Sequence, residues 1–268
     1  VPGTGSATLK PPPAAPMANP YQSPGAYAAG VPASFGPSAV IQPTQINMSD
    51  IFGRTWTIFT RQWLLALGMT LLVGAFSSIA MMAAFVLGGL MVAGLGEPGA
   101  VLFVLAMIAA VLALVWLSIG LAIFALKLVR GQPAGVADLF AGGPYLLRVV
   151  VAGLLISLIV MAGTFLCVIP GIIFSLMYSQ CIFLIVERNV GVMESLTLST
   201  QLTRGNKLTL FGIWLVVWLV SLVLNMVSCG LAGFFVAPYS LILAAVTYLA
   251  MTGQPTADQA LYVMPPMR

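Results

Sequence analysis

The apolar residues of this chain fall into long, nearly uninterrupted blocks, set off by short polar stretches and preceded by a segment without periodicity. Residues 1–45 are rich in Pro, Ala, Gly and Ser, include Pro11, Pro12 and Pro13 in a row, and carry Lys10 as their one charge. Such a segment has too little apolar surface to offset the entropy of ordering it, so a disordered or locally polyproline II tail is expected. Tyr21, Tyr27 and Phe35 are spaced like contact points for a partner, although a plain solvated linker is the preferred reading of that stretch.

Order is expected to begin at Ser49, a helix N-cap, with Asp50 favoured by the dipole of the first turn. Ile51, Phe52, Thr55, Trp56, Phe59 and Trp63 then share one helical face and Arg54, Thr57, Thr60 and Arg61 the other, the pattern of a helix lying in the bilayer interface. Apolar blocks follow over 63–95 and 100–128, with Glu97, Pro98 and Gly99 as the turn between them. The block over 146–186 is about twice the ~20 residues that one crossing needs and is interrupted by Pro170 and Gly171, which predicts two helices and a tight turn there. Blocks over 208–227 and 231–251 are joined by Ser228, Cys229 and Gly230, and residues 190–207 read as a moderately polar helix. The fold class expected is therefore an all-α integral membrane protein of about six transmembrane helices, arranged as three hairpins with interfacial helices. Its domains are a tail over 1–45, a membrane domain over 46–252 and a short C-terminal tail over 253–268.

Composition agrees: 60% of the 268 residues are hydrophobic, 6% are charged, and the mean hydropathy is +1.09. The ten Lys and Arg against six Asp and Glu give a net charge of +4, which by itself would admit an anionic partner such as nucleic acid. The positions of those charges point elsewhere. In a six-helix topology Lys10, Arg54, Arg61, Lys127, Arg130, Arg148, Arg188, Arg204, Lys207 and Arg268 all fall on one side, and Glu97 alone on the other. By the positive-inside rule both termini are expected in the cytoplasm, and the partners of the basic residues are membrane lipids rather than nucleic acid. No secretory signal is expected, because the first long apolar stretch begins only near Trp63. Three diverged copies of a unit are also visible, each with an early acid and a later base: Asp50 with Arg61, Asp138 with Arg148, Glu194 with Arg204.

The chemistry on offer is sparse. The chain contains no His, which removes the usual proton shuttle and metal ligand, and no spacing matches a metal or cofactor site. No ionisable group falls near the expected centre of a span, where ion-driven carriers keep one. The densest intramembrane polar group is Ser175, Tyr178, Ser179 and Gln180, with Asn225 and Tyr239 on the last two helices. These residues either line a substrate path or hydrogen-bond helix to helix, and the second reading is preferred. Cys167 and Cys229 both fall near outer helix ends, where a disulfide between them is a candidate; free thiols, with Cys181 deeper in the membrane, are the preferred alternative. Ala80, Ala84 and Gly88 make a small-residue packing face.

One stretch carries a resemblance. Ile169-Pro170-Gly171-Ile172, then Glu187, Glu194-Ser195-Leu196 with Ser199, and Leu202-Thr203-Arg204-Gly205-Asn206 ahead of an apolar helix resemble a family of polytopic bacterial membrane proteins. That family includes the membrane domain appended to some glycerophosphodiester phosphodiesterases and stand-alone relatives of uncharacterised function. The resemblance implies helical hairpins with cytoplasmic interfacial helices in a bacterial inner membrane. It implies no catalysis, since in the fused enzymes the chemistry belongs to a separate soluble domain.

The function expected from these features is that of a non-catalytic accessory or organising subunit, partnered by other membrane protein subunits. The alternative is a carrier or lipid-handling protein for a neutral or amphipathic small molecule.

Overall fold

The structure, a computed structural model, describes residues 44–259; most of the expected tail over 1–45, with Lys10, Tyr21, Tyr27 and Phe35, and the end of the chain with Arg268 lie outside the described residues. Among the described residues the fold is all-α, and six helical stretches are long and apolar enough to cross a membrane: Met48–Leu95, Glu97–Val129, Ala137–Leu166, Val168–Arg188, Lys207–Val227 and Gly233–Met251. This is a multi-pass membrane protein.

The elements are α1 (Met48–Leu95), α2 (Glu97–Val129), α3 (Ala137–Phe140), α4 (Leu146–Leu166), α5 (Val168–Tyr178), α6 (Cys181–Arg188), α7 (Val192–Leu202), α8 (Lys207–Val227) and α9 (Gly233–Met251). The N-cap of α1 is Asn47, two residues before the Ser49 that the pattern predicts; its Oδ1 accepts from the Ser49 N–H at 3.0 Å. Helix α1 bends at Gln62, whose φ of −130° and ψ of 20° leave the helical region one residue before the predicted start of the first span. The apolar face of its first section is covered in part: Ile51, Thr55 and Ile58 are buried, Phe59 meets Tyr239 of α9 edge-on at 5.6 Å, and a Cβ at Gly212 of α8 would collide with the Met48 side chain, while Trp56 and Trp63 are exposed.

Three connections differ in detail from the sequence pattern. The α1–α2 turn is made by Gly96 at φ +63°, and Glu97, Pro98 and Gly99 form the first turn of α2 instead of the loop. Proline fits there because the first N–H groups of a helix have no intrahelical acceptor, and Gly99 has no Cβ to collide with the Met91 carbonyl. For the same reason Pro170 sits within the first turn of α5, and the chain reverses earlier, at Cys167, in extended backbone with φ −171° and ψ 150°. The third difference is a break in the fourth span: α5 ends at Tyr178 and α6 begins at Cys181.

Packing is densest where the C-terminal halves of α2 and α9 meet α6 and the start of α1. Phe124, Ala125, Leu128 and Val129 of α2 and Ala245, Val246, Tyr248 and Leu249 of α9 are buried, and Phe183 stacks on Tyr248 at 5.3 Å. The far halves of the long helices touch fewer neighbours. There Gly88 of α1 admits the Phe103 ring of α2, so the small-residue face that includes Ala84 is spent on the adjoining helix of the same chain. Helix α8 is the least engaged, with only Leu210 and Ile213 buried among its 21 residues.

One end of the assembly is tied by polar contacts. Asn206, buried in the α7–α8 turn, accepts from the Ile46 N–H at 3.1 Å and donates to the Thr44 carbonyl at 2.7 Å, so it holds the chain as it enters α1. Arg130 at the end of α2 donates to Glu187 at the end of α6, and Gln254 beyond α9 bridges the two, accepting from Arg130 at 2.6 Å and donating to Glu187 at 2.9 Å. Lys127 pairs with Asp138 at 2.5 Å, Arg54 with Asp50 one turn back at 2.9 Å, and Arg148 donates to the Asn189 side chain at 2.5 Å.

Candidate functional site

A helix that breaks inside a membrane leaves backbone groups without their intrahelical partners, and lipid cannot supply any. At the α5–α6 break one such group, the Met177 carbonyl, is met by α7. Ser199, fully buried, donates from Oγ to the Met177 carbonyl at 2.6 Å, and Ser195, also buried, offers its carbonyl to the Cys181 thiol at 3.6 Å. Backbone bonds run from the Ser179 N–H to the Leu176 carbonyl at 3.4 Å and from the Leu184 N–H to the Gln180 carbonyl at 3.1 Å.

On its other side the break presents Gln180. This side chain is 5% exposed, and its Nε2 donates to Ser179 Oγ at 3.0 Å. The Ser179 hydroxyl has one proton and donates it to the Leu176 carbonyl at 2.9 Å, so towards Gln180 it acts as an acceptor. That commitment orients the amide: the nitrogen faces Ser179, and Oε1 is buried with no hydrogen-bond partner among the described residues. Leaving a buried carbonyl of this kind unpaired costs about 1–3 kcal/mol; Gln62 Oε1, Trp116 Nε1, Glu187 Oε2 and Tyr248 OH are likewise buried without a hydrogen-bond partner among the described residues.

The Gln180 side chain lines a cavity of about 100 Å³ between the break, α8 and α9, together with Ser179, Trp214, Ser240 and Thr247. Thr247 spends its hydroxyl on the Leu243 carbonyl at 2.7 Å. A second, apolar cavity of about 510 Å³ lies between the first section of α1, α8 and α9, lined by Phe52, Trp56, Val220, Leu224, Phe235 and Tyr239 among others. Val217 of α8 borders both cavities. Helix α9 carries Pro238 in its interior, beside Tyr239 and Ser240, and so lacks one bond of its ladder at this level.

The structure divides the polar group that the sequence singles out. Ser179 and Gln180 line the smaller cavity; Tyr178 is half-buried; Ser175 is exposed and back-bonds to Ile172 at 2.8 Å. Asn225 donates to the Ser221 carbonyl of its own helix at 2.8 Å, near Gly233, and Tyr239 belongs to the apolar cavity. Thr247 and Ser240 were missed because on α9 they stand amid buried apolar neighbours without any motif. Cys167 and Cys229 are exposed free thiols and Cys181 is buried. Among the described residues no group of three or more His, Cys, Asp or Glu is placed to hold a metal ion.

The stretch that carries the family resemblance supplies the bracing: Ser195 and Ser199 at the break, Gly205 at φ +88° in the α7–α8 turn, and Asn206 at the entry to α1. No protein-family model, curated protein or solved structure matches this chain.

Proposed function

We propose that the chain is a non-catalytic membrane protein that takes up a neutral or amphipathic molecule beside α8, the carrier or lipid-handling reading. What supports this is Gln180, a buried carboxamide at the break between α5 and α6 whose oxygen has no hydrogen-bond partner among the described residues and whose side chain is among those lining a cavity. Broken helices at membrane depth are tolerated where they line a cavity, and in carriers they form the substrate site. The loose engagement of α8, with two buried residues of 21, supports the reading. Around this site we place three hairpins, α1–α2, α4 with α5–α6, and α8–α9. The Arg- and Lys-bearing end lies at the cytoplasmic face of a bacterial inner membrane, with both termini on that side. The likeness to the membrane domain of glycerophosphodiester phosphodiesterases belongs with this proposal.

A saturable quenching experiment tests it. Trp214 lines the cavity, so a brominated medium-chain alcohol entering it should quench part of the tryptophan emission saturably, on top of the linear quenching from bulk detergent. Gln180→Leu and Trp214→Phe should each remove the saturable part. Purely linear quenching in the unaltered protein overturns the reading.

The accessory-subunit reading retains one observation in its favour: beyond Val73 of α1 and ahead of Ala110 of α2, Phe76, Ile79, Phe85, Leu90, Leu105 and Ile108 present bare apolar surface. A membrane partner that co-purifies in fixed ratio, and is lost on substitution of these outer faces, would favour that reading.

A further inference from the structure

We propose that the α1–α2 hairpin is built for a bilayer thicker than the other spans need, and that its bare outer half is covered by the hydrocarbon of long-chain lipids. This is a role separate from the Gln180 site, and helix length is what first points to it. Helices α4, α8 and α9 have 21, 21 and 19 residues. At ~1.5 Å per residue they span about 28–32 Å, close to the ~30 Å of a typical hydrocarbon core. In α1 no charged residue occurs from Trp63 to Leu95, and in α2 none from Pro98 to Leu126, so runs of roughly 33 and 29 residues extend about 50 and 44 Å. Fitting them into ~30 Å requires tilts of about 53° and 46°, outside the ~0–40° range in which spans are found. At ~40° they still need about 38 and 33 Å of hydrocarbon.

The distribution of the bare surface says what covers it. Past Val73 only Ala84 and Gly88 of α1 are buried, and ahead of Ala110 only Gly99 of α2 is. Gly88 faces the Phe103 ring. At ~100° per residue, Met82, Phe85, Val86, Leu87 and Leu90 project over the remaining directions, and each is more than half exposed. A protein-docking patch is one-sided and rimmed by polar residues, whereas a helix apolar on all sides is one whose surroundings are hydrocarbon. Charge agrees: Glu97 at the outer turn is the one charged residue between Arg61 and Lys127, so no charge halts the hairpin at the level where the shorter spans end. In a bilayer of ~30 Å the helical turns next to Gly96 would meet water as apolar surface, and longer acyl chains remove that exposure.

The test is the thermal midpoint of the full chain in vesicles of dimyristoleoyl, dioleoyl and dierucoyl phosphatidylcholine, a series of increasing thickness. The midpoint should rise through the series and be highest in dierucoyl lipid, by several degrees over dioleoyl lipid. Spans of the α8 and α9 length alone would place the optimum at dioleoyl lipid. Leu87→Lys with Val104→Lys, at two exposed positions, shortens the uncharged runs to roughly 24 and 22 residues and should move the optimum to dioleoyl lipid. Unchanged circular dichroism and elution volume in detergent show that this variant keeps the fold, and Leu87→Lys alone is the milder form of the same change. An optimum of the parent chain in dioleoyl lipid overturns the proposal, as does an optimum in dierucoyl lipid that the double variant leaves in place. Cross-linking of the outer half to a second copy in every lipid, with a midpoint that ignores acyl length, gives those faces to a protein partner and likewise overturns it.

Discussion

Ser199 on α7 reaches across 22 positions to the Met177 carbonyl, 2.6 Å from its hydroxyl, at the point where the fourth span breaks. This bond exposes the logic of the site: the break is supported from one side by a neighbouring helix and offers Gln180 to the other. Removing the hydroxyl with Ser199→Ala leaves the carbonyl unpaired at membrane depth, where interhelical hydrogen bonds are worth about 0.6 kcal/mol on average and up to ~1.7 kcal/mol. Unfolding in detergent should show a destabilisation in that range, recovered in part by Ser199→Thr. An Ala variant as stable as the parent would mean that α7 does not hold the break.

Asn206 acts at a distance from this site. Its side chain accepts from the Ile46 N–H and donates to the Thr44 carbonyl ahead of α1. Asn206→Ala is expected to raise amide hydrogen exchange at residues 44–47 by an order of magnitude or more while leaving α8 and α9 unchanged. Asn206→Asp retains the acceptor for Ile46 and should lose only part of the protection.

How much of this was legible in the sequence follows from the same residues. The six apolar stretches and the change of direction near Trp63 were readable, because length and apolarity are set by the bilayer. The turn assigned to Pro170 and Gly171 falls three residues early, at Cys167, since a proline is as well suited to a first helical turn as to a loop. The break at Ser179 and Gln180 has no Gly or Pro to announce it; α7, contributed from later in the chain, supplies the bond to the Met177 carbonyl. One signal was present: Gln180 is the one carboxamide in the Val168–Arg188 span. What pattern could not provide is which polar residues share a cavity, and so Asn225 was grouped with Gln180 although it bonds within α8.

Arg130, Glu187 and Gln254 tie the ends of α2, α6 and α9. The Arg130 and Glu187 side chains are partly exposed, so the pair is worth less than a fully buried one. Arg130→Met alone leaves Glu187 desolvated without its cation and should cost about 1–3 kcal/mol. The double variant Arg130→Met with Glu187→Leu should cost less than the sum of the single changes. Additive costs in the double-mutant cycle would show that the two side chains do not interact.

Close approach of α4 and α5 depends on Gly171, where any Cβ would collide with the Thr164 side chain. Gly171→Val is predicted to force the two helices apart and lower the thermal midpoint by several degrees, whereas Gly153→Ala, with open space around its α-carbon, should be neutral. Similar midpoints for the two variants would contradict the packing described for this pair.

The central claim is that the break at Gln180 is a ligand site, and the most direct measurement is native-mass analysis of the untreated protein after mild-detergent extraction, beside Gln180→Leu. The account predicts that the parent carries a bound small amphiphile that the variant lacks at unchanged oligomeric state. A parent free of any small molecule, or one whose bound species survive the substitution, contradicts it; a membrane protein co-migrating in fixed ratio would return the accessory-subunit reading to first place.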